Sequence, residues 1–219
     1  REYTYRAYNR FDYTPQDCLA YHDAVEAVVV PLWRDIQQRR RERMGLESLR
    51  PWDTSVDPEG RGPLKPFAEP SELINGCAEV FARTDPQLGR QFAMMRDAGL
   101  LDLASRKGKA PGGYATTLAE ARRPFIFMNA VGVDRDVRTL LHEGGHAFHA
   151  LAASDEPLVN YRHAPIEFCE VASMGMELLA DGHLDVFYGG ADLARSRREH
   201  LEGVIMILPW VATIDAFQH

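Results

Sequence analysis

The stretch Thr139–Leu151, "TLLHEGGHAFHAL", decides the local fold and the chemistry of this chain. Its apolar residues recur at helical spacing, and three histidines and a glutamate lie among them. Two adjacent glycines, Gly144 and Gly145, stand inside the run, although each costs roughly 1 kcal/mol relative to alanine in a helix interior. The pattern therefore predicts a helix that combines metal-ligand side chains with a local weakness in helix propensity.

His142, Glu143 and His146 form the pattern His-Glu-x-x-His within this stretch. Residues four apart lie one above the other on a helix, about 6 Å along its axis, so both imidazoles can reach one ion. Glu143 lies about 100° around the helix, where a carboxylate can take a proton from a metal-activated water. Chance predicts on the order of 0.02 such patterns in a chain of this composition. We therefore predict one Zn²⁺ ion bound by His142 and His146, with Glu143 as the catalytic general base.

A zinc site with two histidines and a catalytic water needs a third protein ligand. The metzincin pattern would require glycine at position 149 and histidine at position 152, but the chain has His149 and Ala152, so that class is excluded. His149 cannot join the two ligands on its own helix, because three ligands along one straight helix span about 10 Å. We interpret His149 as a residue that supports the ligands from behind or packs in the core.

A second helix, expected at 165–180, supplies the acidic candidates Glu167, Glu170 and Glu177. A carboxylate from a helix packed against the metal helix can complete a His, His, Glu site. The spacing alone does not choose between Glu167 and Glu170, because the connection 154–164 can absorb one helical turn.

The composition excludes several other classes of protein. The chain has 219 residues, is 45% hydrophobic and carries a net charge of -7, which argues against nucleic acid as a partner. The basic run Arg39–Arg43 is interpreted as the solvated end of a helix. The longest apolar run, Val204–Ala212, contains Pro209 and is shorter than the roughly 20 residues of a spanning helix, so no membrane partner is predicted.

Three cysteines stand far apart and form no Cys-x-x-Cys pair: Cys18, Cys77 and Cys169. An odd number without a disulfide framework favours a reducing compartment, and we predict a cytoplasmic protein. The chain lacks an initiator methionine and ends inside an apolar helical pattern, so we expect a partial segment of a longer protein.

The chain is predicted to be mainly helical, with a small sheet beside the metal helix. A first helix begins at the Thr14 cap and runs to Gly45 with a kink at Pro31, and shorter helices follow at Ser71–Ala82 and Pro86–Ala98. We treat residues 1–219 as one partial catalytic domain, divided into a helical region at 1–100, strands and loops at 101–130, the metal helix at 134–153, the third-ligand helix at 165–180 and a truncated helix at 191–219.

The expected sheet contains a strand at "RPFIFMNAV", Arg123–Val131. This strand is either an edge that pairs with an extended substrate or simply a buried strand, and the sequence does not decide. The preceding "GKAPGGY" could bring backbone close to a substrate. It is not a phosphate loop, because Ala110 follows Lys109 where serine or threonine is required and Leu103 stands at the first glycine position.

The order of "LRPWD", "LDLASRKGKAPGGY", "RPFIFMNA", "DVRTLLHEGGHAFH" and "EFCEVASMGMEL" resembles the M3 family of zinc metallopeptidases, in its oligoendopeptidase F branch. The resemblance implies a zincin-like catalytic core within a mostly helical, clam-like shell around a deep channel for short peptides. The family's third zinc ligand heads an E-x-x-S segment, here "EVAS", which selects Glu170. Glu177 would then steady a ligand histidine. Gly144 departs from the family, which more often has a bulkier residue there.

The resemblance implies a zinc-dependent endopeptidase that hydrolyses short peptides. Family members are longer and carry a carboxy-terminal Tyr/His group that stabilises the tetrahedral intermediate, so we expect the isolated segment to be a poor catalyst. Two alternatives stay open: a metallocarboxypeptidase on a related helical scaffold, and a catalytically incomplete zinc- or peptide-binding fragment. The sequence indicates no oligomeric state.

Overall fold

The computed structural model describes residues 2–8 and 10–218, apart from the side chains of Glu2, Thr4, Ile166 and Glu167. The chain divides into two compact units. The first comprises Arg1–Gly62 and Arg197–His219, and the second comprises Pro63–Ser196.

The first unit is helical. Its amino-terminal region contains α1 (Glu2–Ala7) and a long helix made of α2 (Pro15–Ala24), a π-helical turn (Val25–Val29) and α3 (Val30–Met44). The predicted limits are confirmed, because Thr14 caps α2 and Gly45 ends α3 in the left-handed conformation at φ 63°. The distortion predicted at Pro31 takes the form of the π-helical turn just before it, since proline has no N–H to donate to the preceding turn.

The last helix, α8 (Gly190–Gln218), belongs to both units and contains Pro209. Among residues 2–8 and 10–218, it is the one helix long and apolar enough to cross a membrane, judged by length and composition alone. One such helix says little, because core helices of soluble proteins and signal sequences have the same properties. The absence of a membrane partner therefore stays a prediction.

The second unit begins with a helical pair and continues into a small sheet and two further helices. Asp85 separates the first two helices and caps the second, since its carboxylate accepts the N–H of Gln87 at 2.6 Å. The predicted helices at 71–82 and 86–98 are confirmed to within about two residues. The elements are α4 (Pro70–Thr84), α5 (Pro86–Asp97), β1 (Leu101–Ala104), β2 (Tyr114–Leu118), β3 (Arg123–Ala130), α6 (Asp134–Ala152) and α7 (Ile166–Ala180).

The three strands lie in the order β1-β3-β2. β1 pairs with β3 in parallel, and β2 forms an antiparallel hairpin with β3, in which Leu118 lies opposite Arg123. β3 is therefore the central strand, and its interpretation as a substrate-pairing edge is wrong for this sheet. The edges are β1 and β2, because a central strand already uses its backbone groups on both sides.

The core of the second unit lies between the sheet, the α4–α5 pair and α6. Alternate residues of β3 point into it, with Ile126, Met128 and Ala130 buried. Phe81 of α4 lies at its centre, with ring centroids 4.9 Å from Phe92 and 4.9 Å from Phe148. A mainly helical fold with a small sheet is thus confirmed.

Candidate metal centre

The turn between β3 and α6 fixes where the His-Glu-x-x-His helix begins. The buried carboxylate of Asp136 accepts hydrogen bonds from the backbone N–H groups of Val131, Gly132 and Val133, at 2.8, 2.9 and 3.0 Å. A negative charge here also interacts favourably with the positive, amino-terminal end of the helix dipole. The helix is therefore anchored to the central strand two turns before its first histidine.

His142 and His146 lie on one face of α6, with ring centroids 4.9 Å apart and ring planes at 82°. Glu170 of α7 reaches both rings: its Oε2 lies 3.1 Å from Nε2 of His142 and 3.6 Å from Nε2 of His146. One ligand atom from each of the three residues lies within 4.8 Å of the others. Two imidazoles and a carboxylate are a donor set that zinc binds in open, catalytic sites, so these residues fit that ion.

Gly145 allows α7 to approach α6 at the level of the histidines. A Cβ atom at this position would lie 2.5 Å from the carbonyl oxygen of Ala172 and 2.6 Å from the Cα of Ser173. Both contacts are to backbone, which cannot rotate away as a side chain can. The glycine is therefore what lets the helix that carries Glu170 lie against the helix that carries the histidines.

Gly144 faces α4 in the core, whereas Gly145 faces α7. A Cβ there would lie 2.5 Å from Cζ of Phe81. The aromatic ring fills the space that a side chain on α6 would need. The two adjacent glycines thus serve two different contacts, one with α7 and one with the α4 core residue.

We expect Gly145→Ala to destabilise the fold and weaken metal binding. The gain in helix propensity is roughly 1 kcal/mol, whereas overpacking against a backbone costs about 1–3 kcal/mol and displaces α7. Urea denaturation should show a net loss of unfolding free energy. Gly175→Ala is the matched control, since Gly175 lies inside α7 with nothing within 4 Å of its added Cβ, and this change should stabilise the protein. Equal stabilisation by both changes would contradict the close-approach explanation.

Two further side chains orient the ligands. Glu177 accepts a hydrogen bond from Nδ1 of His142 at 2.7 Å, which directs Nε2 of that ring toward Glu170. The buried hydroxyl of Ser173 donates to Oε2 of Glu170 at 2.7 Å. Ser173 is the serine of the "EVAS" segment, but the sequence assigned it no role; its spacing of three residues from Glu170 on a helix was a usable signal for this contact.

The pKa values of the two histidines are shifted in opposite directions. Burial lowers the pKa of His142, but its hydrogen bond to Glu177 and the neighbouring carboxylates outweigh this effect, so the net shift is upward. The pKa of His146 is lowered chiefly by burial, which outweighs the opposing effect of the Glu170 carboxylate, and further by the nearby charges of His142 and His149. Glu177 therefore acts on one histidine and not on the other.

Glu143 is 7% exposed and points toward the sheet. The backbone N–H of Ala115 in β2 faces its carboxylate and favours the charged form. Its pKa is raised because burial disfavours the charged form, a shift that His142 and the Ala115 N–H partly oppose. The contact with β2 was not expected from the sequence, since it depends on how the hairpin pairs.

The other two candidate residues have different outcomes. His149 is not among the three grouped ligand donors, and its charge is one of the lesser causes that lower the pKa of His146. The side chain of Glu167 lies outside the described residues. The geometry therefore brings together His142, His146, Glu170 and Glu177, with Glu143 beside them.

Comparisons with known proteins point to one group of enzymes. The sequence model described as "Peptidase family M3" matches residues 2–219. The oligopeptidase PepF of Bacillus subtilis (strain 168) is 32% identical over 101 residues, which are 44% of this chain and 15% of that protein.

Solved structures share the fold over nearly the whole chain. A structure described as "PZ peptidase A with inhibitor 2" superposes with a TM-score of 0.91 at 31% identity, covering 98% of this chain and 38% of that one. A protein of Bacillus anthracis str. Ames, provisionally named oligoendopeptidase F, gives a TM-score of 0.92 at 29% identity, with 98% and 39% covered. The chain thus spans well under half the length of the relatives that it matches.

Proposed function

The chain belongs to peptidase family M3, and from this membership we propose that it is a portion of the catalytic domain of a zinc-dependent endopeptidase acting on short peptides. The observation that carries the proposal is the convergence of His142, His146 and Glu170 from two helices, with their ligand atoms within 4.8 Å of one another. The names of the relatives, an oligopeptidase and a PZ peptidase, support peptides as the substrate class.

We assign the ligand set to Nε2 of His142, Nε2 of His146 and the carboxylate of Glu170. When bound there, zinc supplies Lewis acidity toward a substrate carbonyl and a water molecule. Ser173 holds the Glu170 carboxylate and Glu177 holds the His142 ring, so the protein sets the donor positions in advance.

Glu143 is the general base in this proposal. Its carboxylate takes a proton from the attacking water and gives that proton to the leaving amine nitrogen. The burial that raises its pKa brings the group nearer to the operating pH, which makes it effective both as base and as acid. The Ala115 N–H keeps the carboxylate beside the ligand face of α6.

The strand β2 is the proposed partner of an extended substrate, in place of β3. β2 is an edge of the sheet, and an edge strand offers backbone donors and acceptors to a peptide. Its Ala115 contacts Glu143, so a peptide bond held along this edge lies near the base. The three cysteines are unpaired, which supports a reducing compartment such as the cytoplasm.

Peptides with blocked carboxyl ends test the reaction class. We expect the full-length protein to cleave an amidated peptide internally, with loss of activity on zinc chelation and recovery on zinc addition. The matched substrate is the same peptide with a free carboxylate, and mass spectrometry identifies the products. If the protein instead releases single carboxy-terminal residues, and only from the peptide with a free carboxylate, the reaction is that of a metallocarboxypeptidase. Zinc binding by this chain without turnover, restored in the full-length protein, would mark the chain as catalytically incomplete.

A further inference from the structure

The loop 105–113 connects β1 to β2 and contains a buried ammonium group. The side chain of Lys109 is 1% exposed, whereas Lys107, two residues earlier in the same loop, is exposed. A lysine is rarely buried to this extent unless its charge is paired and its N–H groups are bonded.

The ammonium of Lys109 joins the loop to both neighbouring strands. Its Nζ donates to the carboxylate and the carbonyl oxygen of Asp102, at 3.0 and 2.9 Å, and to the carbonyl oxygen of Ala104 at 2.9 Å. It also contacts the carbonyl oxygen of Met128 in β3, so its three N–H groups are shared among four oxygen atoms, and it lies 4.4 Å from the ring centroid of Phe127. One side chain thus fixes the loop to the end of β1 and to the central strand.

A second basic side chain holds the Asp102 carboxylate in place. Arg106 bonds the same carboxylate through both terminal nitrogens, at 2.6 and 2.9 Å. The pKa of Asp102 is lowered to about 2, first by Arg106 and then by Lys109, so the carboxylate stays charged at neutral pH. The ion pair is therefore intact under the conditions in which a peptidase would work.

The second half of the loop is held against β3 and α6. Asn129 of β3 donates from Nδ2 to the carbonyl oxygens of Ala110 and Gly112, at 2.8 and 3.1 Å. A Cβ on Gly113 would lie 3.2 Å from Cγ2 of Thr139, which precedes His142 by three residues on α6. The loop therefore passes close to the metal helix just before it becomes β2.

We propose that Lys109 is a positioning residue that acts through β2 to hold the Ala115 N–H against the carboxylate of Glu143. The proposal rests on the proposed function only in treating Glu143 as the base. The chain of contacts runs from Lys109 through the loop end at Gly113 to Ala115. A neutral side chain of similar length would fill the same space but would remove the ammonium donor from the carbonyl oxygens of Asp102, Ala104 and Met128, whereas the Asp102 carboxylate would keep Arg106.

Lys109→Met tests the role of the charge, and Lys107→Met is its matched control with the same change of charge in the same loop. Amide hydrogen exchange of residues 110–116 should be about tenfold faster or more in Lys109→Met and unchanged in Lys107→Met. Zinc content should be unaffected by both changes, because the ligands lie on α6 and α7. In the full-length protein, kcat should fall about tenfold or more in Lys109→Met while KM stays nearly constant.

Asn129→Ala provides a second variant in case Lys109→Met does not fold. It removes the two hydrogen bonds to the loop without leaving a buried charge. We expect faster amide hydrogen exchange of residues 110–116 and a lower kcat, each by a smaller factor than in Lys109→Met. Unchanged exchange of 110–116 in the folded variant would overturn the proposal, as would a rise in KM with constant kcat. If the wild-type protein binds no zinc or cleaves no peptide, the proposed function is refuted instead. This outcome differs from failure of the Lys109 proposal, because amide hydrogen exchange is measured independently of turnover.

Discussion

Glu143→Gln is expected to abolish peptide hydrolysis by the full-length protein while zinc stays bound. Glutamine has the same shape and keeps a carbonyl oxygen that can accept the Ala115 N–H. It cannot accept a proton from the attacking water, and loss of a general base costs about 10²–10⁴-fold in rate. Steady-state cleavage of a fluorogenic peptide, together with zinc content measured by atomic emission, checks both halves of the expectation.

The control for this change is Glu120→Gln, because Glu120 is an exposed glutamate in the connection between β2 and β3. That variant should cleave peptide at the wild-type rate. Retention of more than about one tenth of wild-type activity by Glu143→Gln would contradict the assignment, because the smallest expected loss is about a hundredfold. Loss of zinc together with activity would mean that Glu143 supports the metal rather than the proton transfer.

Glu170→Ala is expected to reduce zinc affinity by more than about a hundredfold, beyond the 10–100-fold range of residues that only orient ligands. The change removes one of three proposed ligands and also leaves the hydroxyl of Ser173 without its carboxylate partner. Competition with a chromophoric zinc chelator measures the affinity without any need for turnover.

Glu167→Ala is the matched control, because Glu167 is the acid that spacing could not separate from Glu170. We expect this variant to keep wild-type zinc affinity. The reverse result, in which Glu167→Ala loses zinc and Glu170→Ala retains it, would transfer the third ligand to Glu167.

The helices were predictable because their signals are local. The Thr14 cap, the Gly45 stop and the periodicity of the metal helix each depend on neighbours within a few residues, and α6 begins at Asp134 as predicted. The facing of His142 and His146 follows from helix geometry alone. The choice of Glu170 came from the resemblance to the family, because the connection 154–164 can absorb a turn and spacing did not decide.

The missed features depend on contacts between residues far apart in sequence. Gly144 has no explanation until Phe81, in another helix, is seen to fill its space. The central place of β3 follows from pairing with two strands, which its own apolar pattern does not indicate. The buried ammonium of Lys109 likewise depends on the pairing of β1 with β3. The contact of Ala115 with Glu143 depends on the hairpin of β2 and β3.

X-ray diffraction recorded on both sides of the zinc absorption edge, from crystals of zinc-loaded protein, tests the central claim most directly. We predict one anomalous peak, about 2.0–2.2 Å from Nε2 of His142, from Nε2 of His146 and from a carboxylate oxygen of Glu170. A peak bonded to Glu167 instead of Glu170, or no peak beside the two histidines, would contradict that claim.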